Sequence, residues 1–198
     1  MEKIKLYFLH LNQIKNRLEE MLSVLSDEEK AKAERFVREE DRLLSVGGAY
    51  LARRFFGRSA AIARSPSGKP FTGGGFFSIS HSVDTVAAAF CRTREVGMDM
   101  EKHRSGYGEL AKVCFSAAES QSGRGFFDLF TAKESLAKAE GGGIAEGLAL
   151  IPALPFDGEV VYKGQKYIRH SFAKCGYSVS VCLQSEDFTI EECSVYES

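Results

Sequence analysis

Asp99 and Glu101 form an Asp-x-Glu in a segment that reads as a strand, Glu95 to Glu101, where Val96, Met98 and Met100 alternate with Gly97, Asp99 and Glu101. Alternation puts both carboxylates on one face, close enough to repel. A magnesium ion, which takes oxygen from one or two carboxylates plus phosphates and waters, would relieve that repulsion. Alone, the pattern reads as the exposed polar face of an edge strand. Glu134 and Lys138 lie one turn apart on the clearest predicted helix, Gly125 to Gly141. Glu134 suits a third metal ligand or a base, and Lys138 a phosphate contact; as an isolated pair they read as an ordinary i,i+4 ion pair. Lys133 falls among Phe126, Leu129, Phe130, Leu136 and Ala137, where snorkelling to the surface would account for it.

His81 ends an apolar strand within Phe77-Ser78-Ile79-Ser80-His81-Ser82 and could donate to a phosphate oxygen, or sit in a plain turn. Gly68-Lys69-Pro70 holds a lysine in a tight turn without Walker spacing. No Gly-x-Ser-x-Gly elbow is present, so serine hydrolysis is disfavoured.

The elements that must position these groups follow from pattern. Leu6 to Leu9 reads as a first strand, too short for a signal-peptide core or a bilayer span, so a soluble, cytoplasmic protein is expected. Leu18 to Leu25 and a helix capped by Ser26 follow. A longer helix runs from about Asp41 to Phe56 and stops at Gly57, with Gly47-Gly48 against it. Ser65 to Gly75, with Pro66, Pro70 and Gly73-Gly74-Gly75, reads as a loop; Phe76 to Ser80 and Thr85 to Cys91 read as strands, and Gly108 to Phe115 as a helix. Past the glycines Gly141 to Gly143, strands are expected at Glu159–Tyr162, Lys166–Phe172, Tyr177–Leu183 and Phe188–Tyr196. Helices with antiparallel hairpins in each half predict an α+β fold.

Composition sets the outer bounds. The 198 residues are 44% hydrophobic and 27% charged with a formal net charge of −1, which suits a packed core and argues against disorder and broad nucleic-acid or anionic-membrane binding. Five cysteines without a Cys-x-x-Cys pair predict buried free thiols rather than a zinc ribbon or redox motif.

Taken in order, Gly68-Lys69-Pro70, Phe77 to Ser82, and Val96-Gly97-Met98-Asp99-Met100-Glu101-Lys102 resemble three successive motifs of the 4′-phosphopantetheinyl transferases, in particular the larger, surfactin-synthetase-activating type. A fourth follows: Phe115-Ser116-Ala117-Ala118-Glu119, then Phe126 to Lys138, similar to the family's Phe-x-x-x-Trp-x-x-Lys-Glu-Ser/Ala-x-x-Lys. The resemblance implies a pseudo-dimer of two similar α/β halves, 1–97 and 98–198, each an antiparallel sheet packed with a long helix. Coenzyme A would bind between them.

It further implies Mg2+ on Asp99, Glu101 and Glu134, with Glu134 as the base for a carrier-protein serine. His81 and Lys138 would contact the coenzyme A phosphates, Lys133 would place the pyrophosphate, and Ser80, Lys69 and Pro70 would line the donor site. The expected partner is an apo acyl or peptidyl carrier protein, and a monomer is expected. Departures from the family pattern are Phe130 for tryptophan, Gly73 for proline, His103 for threonine, Leu44 for an arginine and Glu29 for a lysine, with Lys32, Arg42 or Arg54 as compensating cations. The rival readings are a non-catalytic member that binds coenzyme A or carriers, and another magnesium-dependent phosphotransferase.

Overall fold

The structure, a computed structural model, describes residues 2–65, 68–143, 147–184 and 187–195. Pro66 of the expected loop and Tyr196 at the end of the expected last strand lie outside them. Strand β1 (Glu2–His10) leads into the short helices α1 (Leu11–Asn16), α2 (Leu18–Val24) and α3 (Asp27–Glu34), and then into the long helix α4 (Glu39–Phe56). Strands β2 (Ile62–Arg64), β3 (Pro70–Thr72), β4 (Gly75–Ser82), β5 (Thr85–Cys91) and β6 (Val96–Lys102) follow. Helices α5 (Gly108–Cys114), α6 (Ala117–Ser120) and α7 (Phe126–Glu140) precede β7 (Gly158–Tyr162), β8 (Gln165–Lys174), β9 (Tyr177–Leu183) and β10 (Phe188–Cys193).

These strands make two sheets, ordered β10-β1-β5-β4-β3-β2 and β6-β9-β8-β7. Alternation decides what each sheet faces. In β5, Val86, Ala88 and Phe90 meet α4 in one buried cluster, while Ala87, Ala89 and Cys91 turn the other way. The latter pack with Ile4 and Leu6 of β1 against Met98 and Met100 of β6 and Val179 and Val181 of β9. The sheets therefore share an apolar core, with α4 outside the first and α7 outside the second. That is the expected α+β arrangement of a sheet and a long helix in each half.

Several features depart from the expected elements. Strand β10 returns to the first sheet and runs parallel to β1, pairing Glu2 with Phe188 through Tyr7 with Cys193. One parallel edge pair thus joins an otherwise antiparallel sheet, and the C-terminal segment is tied to the N-terminal half. Pro70 to Thr72, expected as loop, is a three-residue strand between β2 and β4; Pro70 is its first residue, a strand position where a missing ladder donor is tolerated. Strand β4 continues through His81 and Ser82, leaving Val83 and Asp84 for the turn, with Val83 at φ 56°. Helices α1 and α6, of six and four residues, are too short to show a 3.6-residue period in the sequence. Cysteines 91, 114 and 182 are buried as expected; Cys175 is exposed and Cys193 half-exposed, and all five are free thiols.

Glycines let the helices sit close to the sheets. The Gly47-Gly48 pair, which weakened the α4 reading, belongs there: a Cβ at Gly47 would lie 2.6 Å from Ile14 Cδ1. At Gly97 the constraint is harder, because a Cβ would lie 2.0 Å from the Ser135 carbonyl oxygen and 2.2 Å from the Ala139 nitrogen of α7. Backbone does not yield as a flexible side-chain tip does. Gly97→Ala is expected to cost about 1–3 kcal/mol, as overpacking does elsewhere. Urea denaturation measures it, and an unchanged midpoint would contradict the close approach.

Candidate functional site

Gly97, Asp99 and Glu101 share the β6 face that α7 covers, so the glycine admits the helix and the two carboxylates meet it. Helix α7 starts where Asp128 Oδ2 accepts from the Gly125 N–H at 3.2 Å, and stops at Gly141, left-handed at φ 96°. Between these caps it carries Glu134 and Lys138 toward β6. Lys138 Nζ lies 2.7 Å from Asp99 Oδ1. Burial, then the charges of Asp99 and Glu101, push the Glu134 carboxyl above its ordinary range, against the pull of Lys138. Glu101 is raised too, chiefly by burial, with Asp99 adding repulsion and the Ser82 hydrogen bond opposing it.

The carboxylates are oriented from the other sheet. Strand β6 is the free edge of the second sheet, and its outward N–H groups at Met98, Met100 and Lys102 donate to the hydroxyls of Ser78, Ser80 and Ser82 of β4 (3.0, 3.3 and 3.1 Å). Ser80 in turn donates to Asp99 Oδ1 at 2.7 Å, and Ser82 to Glu101 Oε2 at 2.6 Å. Each of these two hydroxyls thus satisfies one edge donor and fixes one carboxylate. Glu101 also faces Arg104, whose guanidinium stands over Phe127.

A divalent cation would meet oxygen donors here. Asp99 is 5% exposed, and its Oδ2 is buried without a hydrogen-bond partner among the described residues. Among those residues no three His, Cys, Asp or Glu side chains stand together as a finished metal cage; the Lys138 ammonium occupies the shared field instead. An orphaned carboxylate oxygen beside two carboxyls of raised pKa fits a hard cation such as Mg2+.

Lys138 also opens onto a cleft of about 690 Å3 between α3, α4, β2–β4 and the end of α7. His81, Lys69, Pro70 and Lys32 line it, as do the departing residues Leu44 and Glu29. Lys69 is held in its wall: Nζ binds Glu95 at 3.0 Å and the Ala139 carbonyl at 3.1 Å, and burial lowers its pKa against the pull of Glu95.

Three expected residues do not join. Ser80 points into the seam between the sheets, not the cleft, because alternation sends its neighbours Ile79 and His81 there. Arg42 pairs with Glu34 away from the cleft wall. Lys133 neither snorkels nor reaches the cleft: it is 0% exposed, 2.9 Å from Glu119 and 2.5 Å from the Ile151 carbonyl. Conversely Ser82, Arg104 and Arg53 were not anticipated. Three serines at alternate positions of an apolar strand are a signal for the first; the two arginines leave none in the local sequence.

Comparison with known proteins bears on this arrangement. The profile of the 4′-phosphopantetheinyl transferase superfamily matches residues 95–191, from β6 into β10. The 4′-phosphopantetheinyl transferase HetI of Nostoc sp. (strain PCC 7120 / SAG 25.82 / UTEX 2576) is 30% identical over 182 residues, covering 78% of this chain and 77% of the relative. The chain belongs to the 4′-phosphopantetheinyl transferase superfamily. A second relative, the 4′-phosphopantetheinyl transferase Sfp of Bacillus subtilis (strain 168), is 28% identical over 212 residues, covering 93% of this chain and 94% of its own length. As a phosphopantetheinyl transferase, the chain carries Asp99, Glu101, Glu134 and Lys138 within the matched segment, while His81, Lys69 and the α3–α4 wall precede it.

Raised carboxyl pKa values have a stability cost with a definite sign. The folded protein holds protons on Glu101 and Glu134 that the unfolded chain releases near 4.5. Stability in the absence of metal therefore falls as pH rises from about 4.5 through the raised folded values. Glu134→Gln is expected to raise the thermal midpoint of chelator-treated protein at pH 7.5, with the gain vanishing as pH approaches 4.5. A gain independent of pH would show that Glu134 is not held against repulsion.

Proposed function

We propose that this chain moves the 4′-phosphopantetheine group of coenzyme A onto a serine of an apo acyl or peptidyl carrier protein, with Mg2+, releasing 3′,5′-ADP. The observation that carries the reading is the meeting of Lys138 with Asp99 beside Glu101 and Glu134 at the edge of a cleft lined by His81 and Lys69. The carboxylates supply oxygen donors on one side; the cations face the cleft on the other.

In this reading Asp99, Glu101 and Glu134 hold Mg2+, which when bound supplies charge neutralisation for the pyrophosphate. Lys138 and His81 bind the phosphate oxygens and orient the donor, and Lys69 with Pro70 shapes the nucleotide side. Glu134 accepts the proton of the carrier serine. A bond forms between the serine Oγ and the β-phosphorus, while the bond from that phosphorus to the oxygen bridging to the α-phosphate breaks. The electron pair leaves with 3′,5′-ADP, so the transfer is in line and depends on position and charge more than on covalent chemistry by the protein. Residues 1–97 then serve the nucleotide, and 98–198 the metal and the proton. The protein acts as a cytoplasmic monomer without nucleic acid or membrane. No helix among the described residues is long and apolar enough to cross a membrane.

The test is the intact mass of an apo acyl carrier protein incubated with this protein, coenzyme A and Mg2+, with and without chelator. A chelator-sensitive gain of about one phosphopantetheine group is expected. No gain on several carrier types would favour a non-catalytic, binding member of the family. Glu134→Gln is expected to cut the transfer rate by about 10²–10⁴-fold while the circular dichroism stays native; wild-type turnover would remove Glu134 from the mechanism. Asp99→Asn should raise the Mg2+ concentration giving half-maximal rate by about tenfold or more, and an unchanged titration would remove Asp99 from the metal site.

A further inference from the structure

Strand β6 and helix α7 cross at close range where Gly97 faces Lys138 and Ala139: a Cβ on Gly97 would lie 2.2 Å from the Ala139 nitrogen and 2.8 Å from the Lys138 carbonyl carbon. Lys69, on the turn that leads into β3 of the other sheet, reaches both sides of this crossing. Its ammonium lies 3.0 Å from Glu95, the residue before β6, and donates to the Ala139 carbonyl of α7 at 3.1 Å. Ala139 is among the last four residues of α7, whose carbonyls have no partner within the helix, and it is only 4% exposed. A buried carbonyl left without a donor is costly, and a cation at a helix C-terminus is favoured by the dipole. Lys69 meets both needs from outside the helix.

The backbone fixes this lysine before its side chain extends. Gly68, at φ 85°, closes a turn in which its N–H donates to the Ser65 carbonyl at 2.8 Å. The Lys69 N–H donates to Ser65 Oγ at 3.1 Å, and the Ser65 N–H returns to the Lys69 carbonyl at 2.9 Å. The side chain is 9% exposed, and two of its three ammonium protons are committed to Glu95 and Ala139. Glu140, next to Ala139, adds its field to that of Glu95. Glu95 is 47% exposed and does not line the cleft, so what it restrains there is Lys69 and not a ligand.

We infer that Lys69 is a positioning residue: by clamping Glu95 and the end of α7 to the first half of the chain, it holds Lys138 against Asp99 at the edge of the cleft. The inference rests on the transfer proposed above. Lys138 is the neighbour of the clamped carbonyl, and its Nζ stands 2.7 Å from Oδ1 of Asp99, on the strand that Glu95 precedes. With the clamp open, the end of the helix and the start of the strand shift relative to each other, and the two side chains shift with them. Lys69 acts on the donor through Lys138, not as a contact of its own.

The test compares kcat and KM for coenzyme A in Glu95→Ala, Lys69→Met and the double variant, on one apo acyl carrier protein with Mg2+. Glu95→Ala is expected to lower kcat about tenfold and to leave KM within about threefold of wild type, because misplacement costs rate more than ground-state binding. Were Lys69 a direct contact restrained by Glu95, the same substitution would free the ammonium, remove a negative charge and lower KM. A brace without effect on the site would move the thermal midpoint and leave kcat, measured well below that midpoint, as it was. A lowered KM or an unchanged kcat therefore overturns the inference. Glu95→Ala changes an exposed residue, so it decides the question even where Lys69→Met fails to fold. Lys69→Met is expected to lower kcat at least as far, and the double variant to be no slower, since both substitutions act through one contact. A loss carried by KM in Lys69→Met, or losses that multiply in the double variant, overturns the inference as well. Should the wild-type protein transfer nothing to any carrier, the proposed transfer fails, and hydrogen exchange judges the clamp by itself. About tenfold faster exchange at the amides of Ala139 to Gly141 in both single variants upholds it, and unchanged exchange overturns it.

Discussion

Asp99, Glu101 and Glu134 repel one another in a partly buried space, and much of the surrounding structure answers that constraint. Burial and mutual charge raise two of the carboxyls, so the arrangement costs stability wherever they ionise without a counter-charge. Lys138 supplies part of that charge, and the hydroxyls of Ser80 and Ser82 supply directed donors. These serines also satisfy the free edge of β6, an exposed template for wrong pairing if it were left open. The seam between the sheets and the orientation of the carboxylates are therefore one structural feature. Disturbing the first misaligns the second.

The two lysines of α7 show how position on a helix divides roles. They stand five positions apart, which turns Lys138 toward β6 and Lys133 toward the loop around Ile151. Lys133 neutralises the buried Glu119, which also accepts from the Ala153 N–H at 2.7 Å and caps α6 through Ser116. Arg169, fully buried, donates to the carbonyls of Ala132, Pro152 and Ala153 in the same region. A buried ion pair is expensive to assemble and more expensive to break, because removing one partner strands the other. This cluster pins the segment after α7 to the helix and so holds the helix that presents Glu134. It is structural support, one layer behind the cleft.

On the N-terminal side the cleft is built from a different balance. Helix α4 lies close on the first sheet because Gly47 carries no side chain, and that closeness makes Leu44 part of both the apolar core and the cleft wall. Arg53 could have offered its guanidinium to a ligand; instead it ties α3 to α4 and to the chain after α4 through Glu29 and two carbonyls. The same residues that stabilise this corner thus reduce its free positive charge. Strand β10 adds a hydrogen-bonded link between the halves by pairing with β1.

Much of this was legible in the sequence. Period-2 alternation put Asp99 and Glu101 on one face of β6. The stop glycines bounded α4 and α7, and helical spacing set Glu134 and Lys138 on one stripe; these are local consequences of backbone geometry. The order of four motifs pointed to the family. Only the tertiary structure decided the rest, because it depends on contacts between residues far apart in the chain. Lys133 sits on an apolar stripe in either reading, and whether it snorkels or is buried turns on Glu119 arriving from another helix. Ser80 is separated from Asp99 by nineteen positions, and β10 from β1 by nearly the whole chain. Which cations remain free in the cleft is likewise set by partners: Arg53 and Lys32 look alike as sequence, but Glu29 reaches only one of them.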